Sequence, residues 1–174
     1  MLTQIDINIM ECIRQNMTSP LTDKVMTAVT HMGDHGILWI GICIILMAVP
    51  KTRKSGFALA IAMIAGLVIC NLLMKNIIAR PRPFVAYDFP IIINPPMGYS
   101  FPSGHSSNSF IAATVIAMGN KKLALPAYII AILIAFSRVY LCVHYPSDVI
   151  AGAVIGMGIG YVTVRLFDKY NGKL

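Results

Sequence analysis

The sequence predicts an all-α integral membrane protein, a bundle of five to six transmembrane helices with N-terminal amphipathic helices. Three observations carry this. Of 174 residues, 57% are hydrophobic and only 12% charged, about half the charged share of a soluble domain. Five apolar runs are readable, at residues 36–49, 57–74, 110–118, 123–143 and 149–164. Basic residues gather in the loops between them, as they do at a membrane surface. The fourteen Lys and Arg against seven Asp and Glu, a net charge of +7, therefore point to a bilayer. A nucleic-acid partner would need those cations on a water-facing surface.

The elements follow in chain order. Ile5, Ile9, Cys12 and Ile13 recur at helical spacing, as do Leu21, Val25, Ala28 and Val29. They predict two short amphipathic helices lying in the interface and broken at Ser19-Pro20, with a reduced sixth span as the alternative. Residues 1–33 form this N-terminal segment and 34–167 the core helices of a single domain covering 1–174. Asp6, Asn8, Glu11 and Arg14 interrupt the start, which argues against a cleaved signal peptide. The run 36–49 is short for a hydrocarbon core of about 30 Å and needs its flanks to cross. The third run has a polar start at Ser103. The fifth carries Gly152, Gly156 and Gly160 at GxxxG spacing, a face for close helix approach. Cys12, Cys43, Cys70 and Cys142 show neither metal-ligand nor disulfide spacing.

Loop charges set the orientation. Lys51, Arg53 and Lys54 follow the first run, Lys121 and Lys122 the third, and Arg165, Lys169 and Lys173 the fifth. With five alternating spans these clusters share one side, which the positive-inside rule makes cytoplasmic. The opposite, exterior side holds the loop from Arg80 to Pro102 and the turn from Val143 to Ser147.

That outer side collects the residues that membrane insertion does not explain. Lys75, Arg80 and Arg82 sit where the second run ends, and Arg138 lies near the outer end of the fourth, within apolar sequence. Lys75 and Arg80 are long enough to snorkel, but an ionisable group at the depth of Arg138 marks a functional site. Ser103 is placed to cap the third helix, and Gly104 opens its amide-rich start, a ready anion site. In the stretch His144-Tyr145-Pro146-Ser147-Asp148, the spacing brings the Asp148 carboxylate back toward the His144 imidazole. His105 is the next residue of that helix start. Cations and amides that neutralise a phosphoryl group, a histidine that attacks phosphorus and another that protonates the departing oxygen together describe nucleophilic displacement at phosphorus.

These residues form three ordered motifs. Lys75 is followed by Arg82-Pro83, then comes Pro102-Ser103-Gly104-His105, then Ser137-Arg138 with His144 and Asp148. The sequence thereby resembles the type 2 phosphatidic acid phosphatase family, with its K-x6-R-P, P-S-G-H and S-R-x5-H-x3-D patterns. The resemblance implies that His144 is the nucleophile forming a phosphohistidine, Asp148 its orienting partner, and His105 the acid and then the base. It implies that Lys75, Arg82, Ser103, Gly104 and Arg138 bind the phosphoryl oxygens, and that neither a metal nor another cofactor takes part. Only Asp34, Asp88 and Asp148 are carboxylates near this face, too few for a divalent-ion cage. Arg80 stands outside the motifs, either binding or snorkelling. Gly33-Asp34-His35-Gly36 reads as a turn leading into a helix, and residues 84–99 as a lid, a lipid entrance or a mere covering.

By resemblance the expected substrate is a lipid phosphate or diphosphate at the outer face of the cell membrane. Undecaprenyl diphosphate, giving undecaprenyl phosphate, comes first. Phosphatidylglycerophosphate is the alternative, followed by phosphatidic acid and lipid A. A non-catalytic lipid-phosphate binder or flippase would use the same cations, but has no need of the His144–Asp148 pair together with His105.

Overall fold

In the computed structural model, which describes residues 2–172 and 174, the described residues form helices and connecting loops with no strand. Lys173 of the last basic cluster lies outside them. The chain opens with α1 (Leu2–Met17) and α2 (Pro20–Met32). They part at Ser19, whose side chain accepts the Thr22 amide while Thr22 reaches back to the Ser19 N–H. This reciprocal cap, with Pro20 in the first turn, fixes the start of α2. A short 3₁₀ turn (Asp34–Gly36) leads into α3 (Ile37–Ala48). Next comes α4 (Arg53–Gly66), which runs on without a break through a π-helical stretch (Leu67–Met74) into α5 (Lys75–Ile78). A single turn, α6 (Pro83–Ala86), sits in the long loop before α7 (Gly104–Gly119), α8 (Ala124–Tyr140) and α9 (Pro146–Asn171).

Three helical stretches are long and apolar enough to cross a membrane: Arg53–Ala86, Lys121–Tyr140 and Pro146–Asn171. A fourth is available if Pro20–Met32 and Asp34–Ala48, bent by 44° at their break, count as one broken span. The expected helix α7 is there, but its 16 residues fall short of the roughly 20 that a bilayer asks for. Its place explains the shortness. It is the central helix, packed against α4, α8 and α9, and Ile111, Ala112, Ala113 and Val115 have no exposed surface.

The outside of the bundle is apolar, with Ile44, Ile45, Ile64, Leu72, Leu125, Ile150 and Val154 all exposed. The inside is built from small residues, including Ala58, Ala62, Ala112, Ala113 and Ala131. Small residues within and large ones without is how helices associate in lipid. The glycine spacing of α9 does what the sequence predicts. A Cβ on Gly152 would stand 2.7 Å from the Ser103 carbonyl oxygen, and one on Gly160 3.0 Å from that of Ile111. At Gly156 the Ser107 carbonyl comes nearer still.

Alternation of the core helices gives the bundle two distinct ends. Lys51, Lys54, Lys121, Lys122 and Lys169 share one end, where Lys54 Nζ donates to the Asn171 carbonyl at 2.9 Å. The ends of α2, α5 and α8 and the starts of α7 and α9 meet at the other. The N-terminal helices cover this second end. Met10 of α1 is fully buried on Val139, Cys142 and Tyr145, and Thr22 of α2 lies 2.7 Å from the Tyr140 hydroxyl.

Candidate active site

A cavity of about 690 Å³ opens at this covered end. Lys75, Arg82, Arg138, His105, His144 and Gly104 all line it. Each comes from a helix terminus or the loop beside one. Six of the eight predicted site residues, from four separate stretches of chain, therefore share one wall. Ser103 and Asp148 stand behind it, fully buried. Ser103 Oγ accepts the Ser106 amide at 3.4 Å, the helix cap that the sequence predicts, and its own amide donates to the Asp148 carbonyl.

His144 is 1% exposed. Its Nε2 lies 3.2 Å from Arg82 Nη1, and its Nδ1 faces Asp148 Oδ2 at 3.8 Å. That distance is too long for a hydrogen bond, and Ser100 fills the gap. Ser100 Oγ donates to Asp148 Oδ2 at 2.5 Å and lies 3.3 Å from His144 Nδ1. The carboxylate thus acts on the imidazole partly through a hydroxyl that the sequence reading passed over. The His144 pKa is driven well below the usual 6.5 by burial first, then by Arg82, Arg138, Lys75 and His105. These surroundings favour the neutral ring.

The cations are held by backbone and by the N-terminal helices. Arg82 donates from Nε to the Gly98 carbonyl (2.8 Å), from Nη1 to that of Val143 (2.9 Å) and from Nη2 to that of Met97 (3.1 Å). This pins the loop rim that closes the cavity, so residues 94–97 are part of the site wall. Arg138 donates to Thr30 Oγ1 of α2, while its Nε is buried without a partner. A buried, unpaired guanidinium N–H is costly, and an oxyanion in the cavity would satisfy it.

Arg80 does neither of the two things the sequence allows. It is turned away from the cavity and joins two carboxylates. Nη1 donates to Asp148 Oδ1 at 2.6 Å and Nη2 to Asp6 Oδ2 at 2.8 Å. Its guanidinium also stacks 3.7 Å over the Tyr145 ring. Asp6, 2% exposed, accepts the Ser147 amide (2.9 Å) and hydroxyl (2.6 Å) as well. Arg80 is thus an ion-paired strut between α1 and the start of α9.

Asp34 likewise exceeds its reading as a plain turn. The turn forms, with His35 and Gly36 at positive φ, and it presents Asp34 Oδ1 to His105 Nε2 at 2.9 Å. Asp88, by contrast, sits in an exposed loop outside the cavity. Asp6, Thr30 and Ser100 are the site residues that sequence reasoning missed, while Asp34 is placed by it near this face without its partner. Their partners are 71 to 141 residues away for Asp6, Thr30 and Asp34, and 44 to 48 for Ser100. No local spacing signals such pairings.

A multi-pass helical membrane protein with a cation-rich cavity lined by two histidines is the class that fold and site define. The chain belongs to the PAP2 superfamily, whose model matches residues 55–171. It is 34% identical over 131 residues to an undecaprenyl-diphosphatase of Sulfolobus acidocaldarius, covering 74% of this chain and 63% of that one. It is 32% identical over 146 residues to the undecaprenyl-diphosphatase BcrC of Bacillus subtilis, covering 84% and 75%. The chain thus spans somewhat under two thirds of the first relative and about three quarters of the second. Among solved structures, the transmembrane PAP2-type phosphatidylglycerolphosphate phosphatase of Bacillus subtilis superimposes with a TM-score of 0.79 at 26% identity, over 97% of this chain and 87% of that one.

Proposed function

We propose that the protein is a membrane lipid phosphatase. It hydrolyses a phosphate or diphosphate monoester through a phosphohistidine, with undecaprenyl diphosphate to undecaprenyl phosphate as the foremost reaction. The observation that carries this reading is the single cavity wall shared by His144, His105, Lys75, Arg82 and Arg138.

Lys75, Arg82, Arg138 and the Gly104 end of α7 hold the phosphoryl oxygens and spread their charge. His144 Nε2 attacks phosphorus, with Nδ1 oriented by Ser100 and Asp148. As the N–P bond forms, the bond to the lipid-side oxygen breaks, and His105 gives that oxygen a proton. His105 enters this step as the imidazolium: its Nε2–H is held by Asp34, and the Nδ1 proton is the one transferred. In the second half His105 takes a proton from water, the water oxygen attacks phosphorus, and the N–P bond breaks to release phosphate. Ser103 acts by capping α7 and so aiming its amides.

The core is read as five spans, with α7 as the short central one and the bent α2–α3 pair entering from the site end. Lys51, Lys121 and Lys169 at the opposite end support an exterior-facing site in the cell membrane. The likeness to the phosphatidylglycerolphosphate phosphatase favours that lipid as the second reading.

The test is phosphate release by the purified protein in detergent micelles with EDTA present, undecaprenyl diphosphate against phosphatidylglycerophosphate, with His144→Ala as the blank. Faster release from the diphosphate is expected. Faster release from the glycerophosphate would transfer the reading to the second substrate. No release from either, or a strict need for added metal, would overturn it.

A further inference from the structure

The cavity continues past the catalytic groups. Asn71 and Asn108 line it together with His105, Gly36 and Leu67. Asn108 stands one turn beyond His105 on α7, and Asn71 one turn before Lys75 in the π-helical stretch. At 1.5 Å per residue these are offsets of about 4.5 and 6 Å. Because α7 starts at the site end and α5 finishes there, both offsets run the same way, into the membrane side of the cavity.

The backbone around the two amides is shaped for them. A Cβ on Gly104 would stand 2.7 Å from Asn71 Oδ1, so glycine here lets that amide lie where it does without shifting. Gly36, at φ +71°, and Gly66 bracket Asn108, their positions for a Cβ 3.6 Å from its Nδ2 and 3.8 Å from its Oδ1. The Asn108 Oδ1 is buried without a partner. Its Nδ2 is the amide atom on the side of Gly36, which lines the cavity. An eight-residue π-helical stretch is itself uncommon, and such stretches collect at functional sites; here it carries Asn71.

We propose that Asn71 and Asn108 form a second anion subsite that holds the lipid-proximal phosphate of a lipid diphosphate. This deepens the phosphatase reading and rests on it. In-line displacement puts the leaving oxygen on the His105 side of phosphorus, opposite His144. Whatever carries that oxygen must then extend past His105 toward Asn108 and Asn71. In a diphosphate this is a phosphate, whose oxygens accept hydrogen bonds from amide NH₂ groups. In a monophosphate it is a carbon chain or a glycerol. Two neutral donors suit a group that must leave: they bind it without adding charge to a cavity already holding three cations.

The experiment compares farnesyl diphosphate with farnesyl phosphate, the same tail bearing two phosphates or one, hydrolysed by the full-length protein in micelles. For Asn71→Leu and Asn108→Leu, the ratio of kcat/KM for diphosphate over monophosphate is expected to fall about 10- to 100-fold, as for loss of a hydrogen bond to a charged group. Asn71→Asp and Asn108→Asp keep size and polarity but oppose a phosphate, and are expected to lower the ratio at least as far. An unchanged ratio in all four variants would overturn the subsite, as would a selective loss on phosphatidylglycerophosphate instead. Undecaprenyl diphosphate and phosphatidylglycerophosphate are the controls: no release from them either would bring down the phosphatase reading, whereas release with an unchanged ratio overturns the subsite alone.

Discussion

Asp34 and His105 are bonded at 2.9 Å, Oδ1 to Nε2, across 71 residues of sequence. The other carboxylate oxygen, Oδ2, lies 2.6 Å from Nδ1 of the exposed His31. A turn between two helices thus fixes the tautomer of a histidine on a third. With Nε2 engaged as a donor, Nδ1 of His105 is committed to the cavity.

Asp34→Asn removes the charge that fixes this tautomer while keeping the shape. The expected result is a fall in kcat of about 10- to 100-fold, part of the 10²–10⁴ that a positioned acid–base group supplies, with KM little changed. Steady-state kinetics in micelles read both. A rise in KM at constant kcat would refute the positioning role.

Gly33→Ala probes the same ring from behind. Its Cβ would stand 2.6 Å from His105 Cδ2 and 2.8 Å from Ile134 Cγ2. The ring must move, and kcat should fall although no polar group is lost. Because one change loosens His105 and the other pushes it, the combination of Gly33→Ala with Asp34→Asn is expected to be far from additive. A double-mutant cycle on kcat measures this.

Asp6→Ala leaves Arg80 with one carboxylate partner and the Ser147 amide without its acceptor. Breaking such a buried, hydrogen-bonded ion pair costs about 3 kcal/mol, so a clear drop in Tm is expected. Arg80→Ala should cost comparable stability and more activity, since it also releases Asp148. Thermal unfolding followed in detergent, beside phosphate release, separates the two.

His144 makes folding sensitive to acid. Its folded pKa lies well below the ordinary 6.5, so in that range the unfolded chain binds a proton that the folded protein refuses. The contribution is complete above pH 6.5 and is lost as the pH falls below it, at up to about 1.4 kcal/mol per pH unit. A Tm that is level from pH 8 to 7 and declines below 6.5, with a shallower decline in His144→Asn, is the expected pattern.

The sequence reading of fold and site succeeds where a signal is local. The apolar runs locate α3 and α8 to within a few residues, and the α4–α5 stretch and α9 more loosely, because lipid demands continuous hydrophobic stretches. Lys75, Arg82, His105 and His144 are legible because charge and imidazole at span ends have few structural uses. Asp6 and Thr30 are not legible. Each sits in an ordinary amphipathic helix, and only tertiary docking shows that Asp6 faces Arg80 and Thr30 faces Arg138. Ser100 hid for another reason: a hydroxyl in a Pro- and Gly-rich loop looks like turn chemistry until the 3.8 Å gap between His144 and Asp148 exposes its place. Arg80 was misread because snorkelling and binding both assume a side chain reaching outward.

The glycine stripe of α9 against the carbonyls of α7 also bears on how such a protein diversifies. His105 rides on α7 and Asp148 on α9, and at Gly152, Gly156 and Gly160 a main-chain carbonyl comes to within about 3 Å of where a Cβ would stand. The distance between the halves of the reaction centre is therefore dictated by main-chain contact, which substitutions elsewhere leave alone. Faces such as those bearing Ile64, Leu72 and Ile150 look outward and are free to drift with the lipid they meet. In this architecture the outer surface can change without altering the spacing of the groups inside.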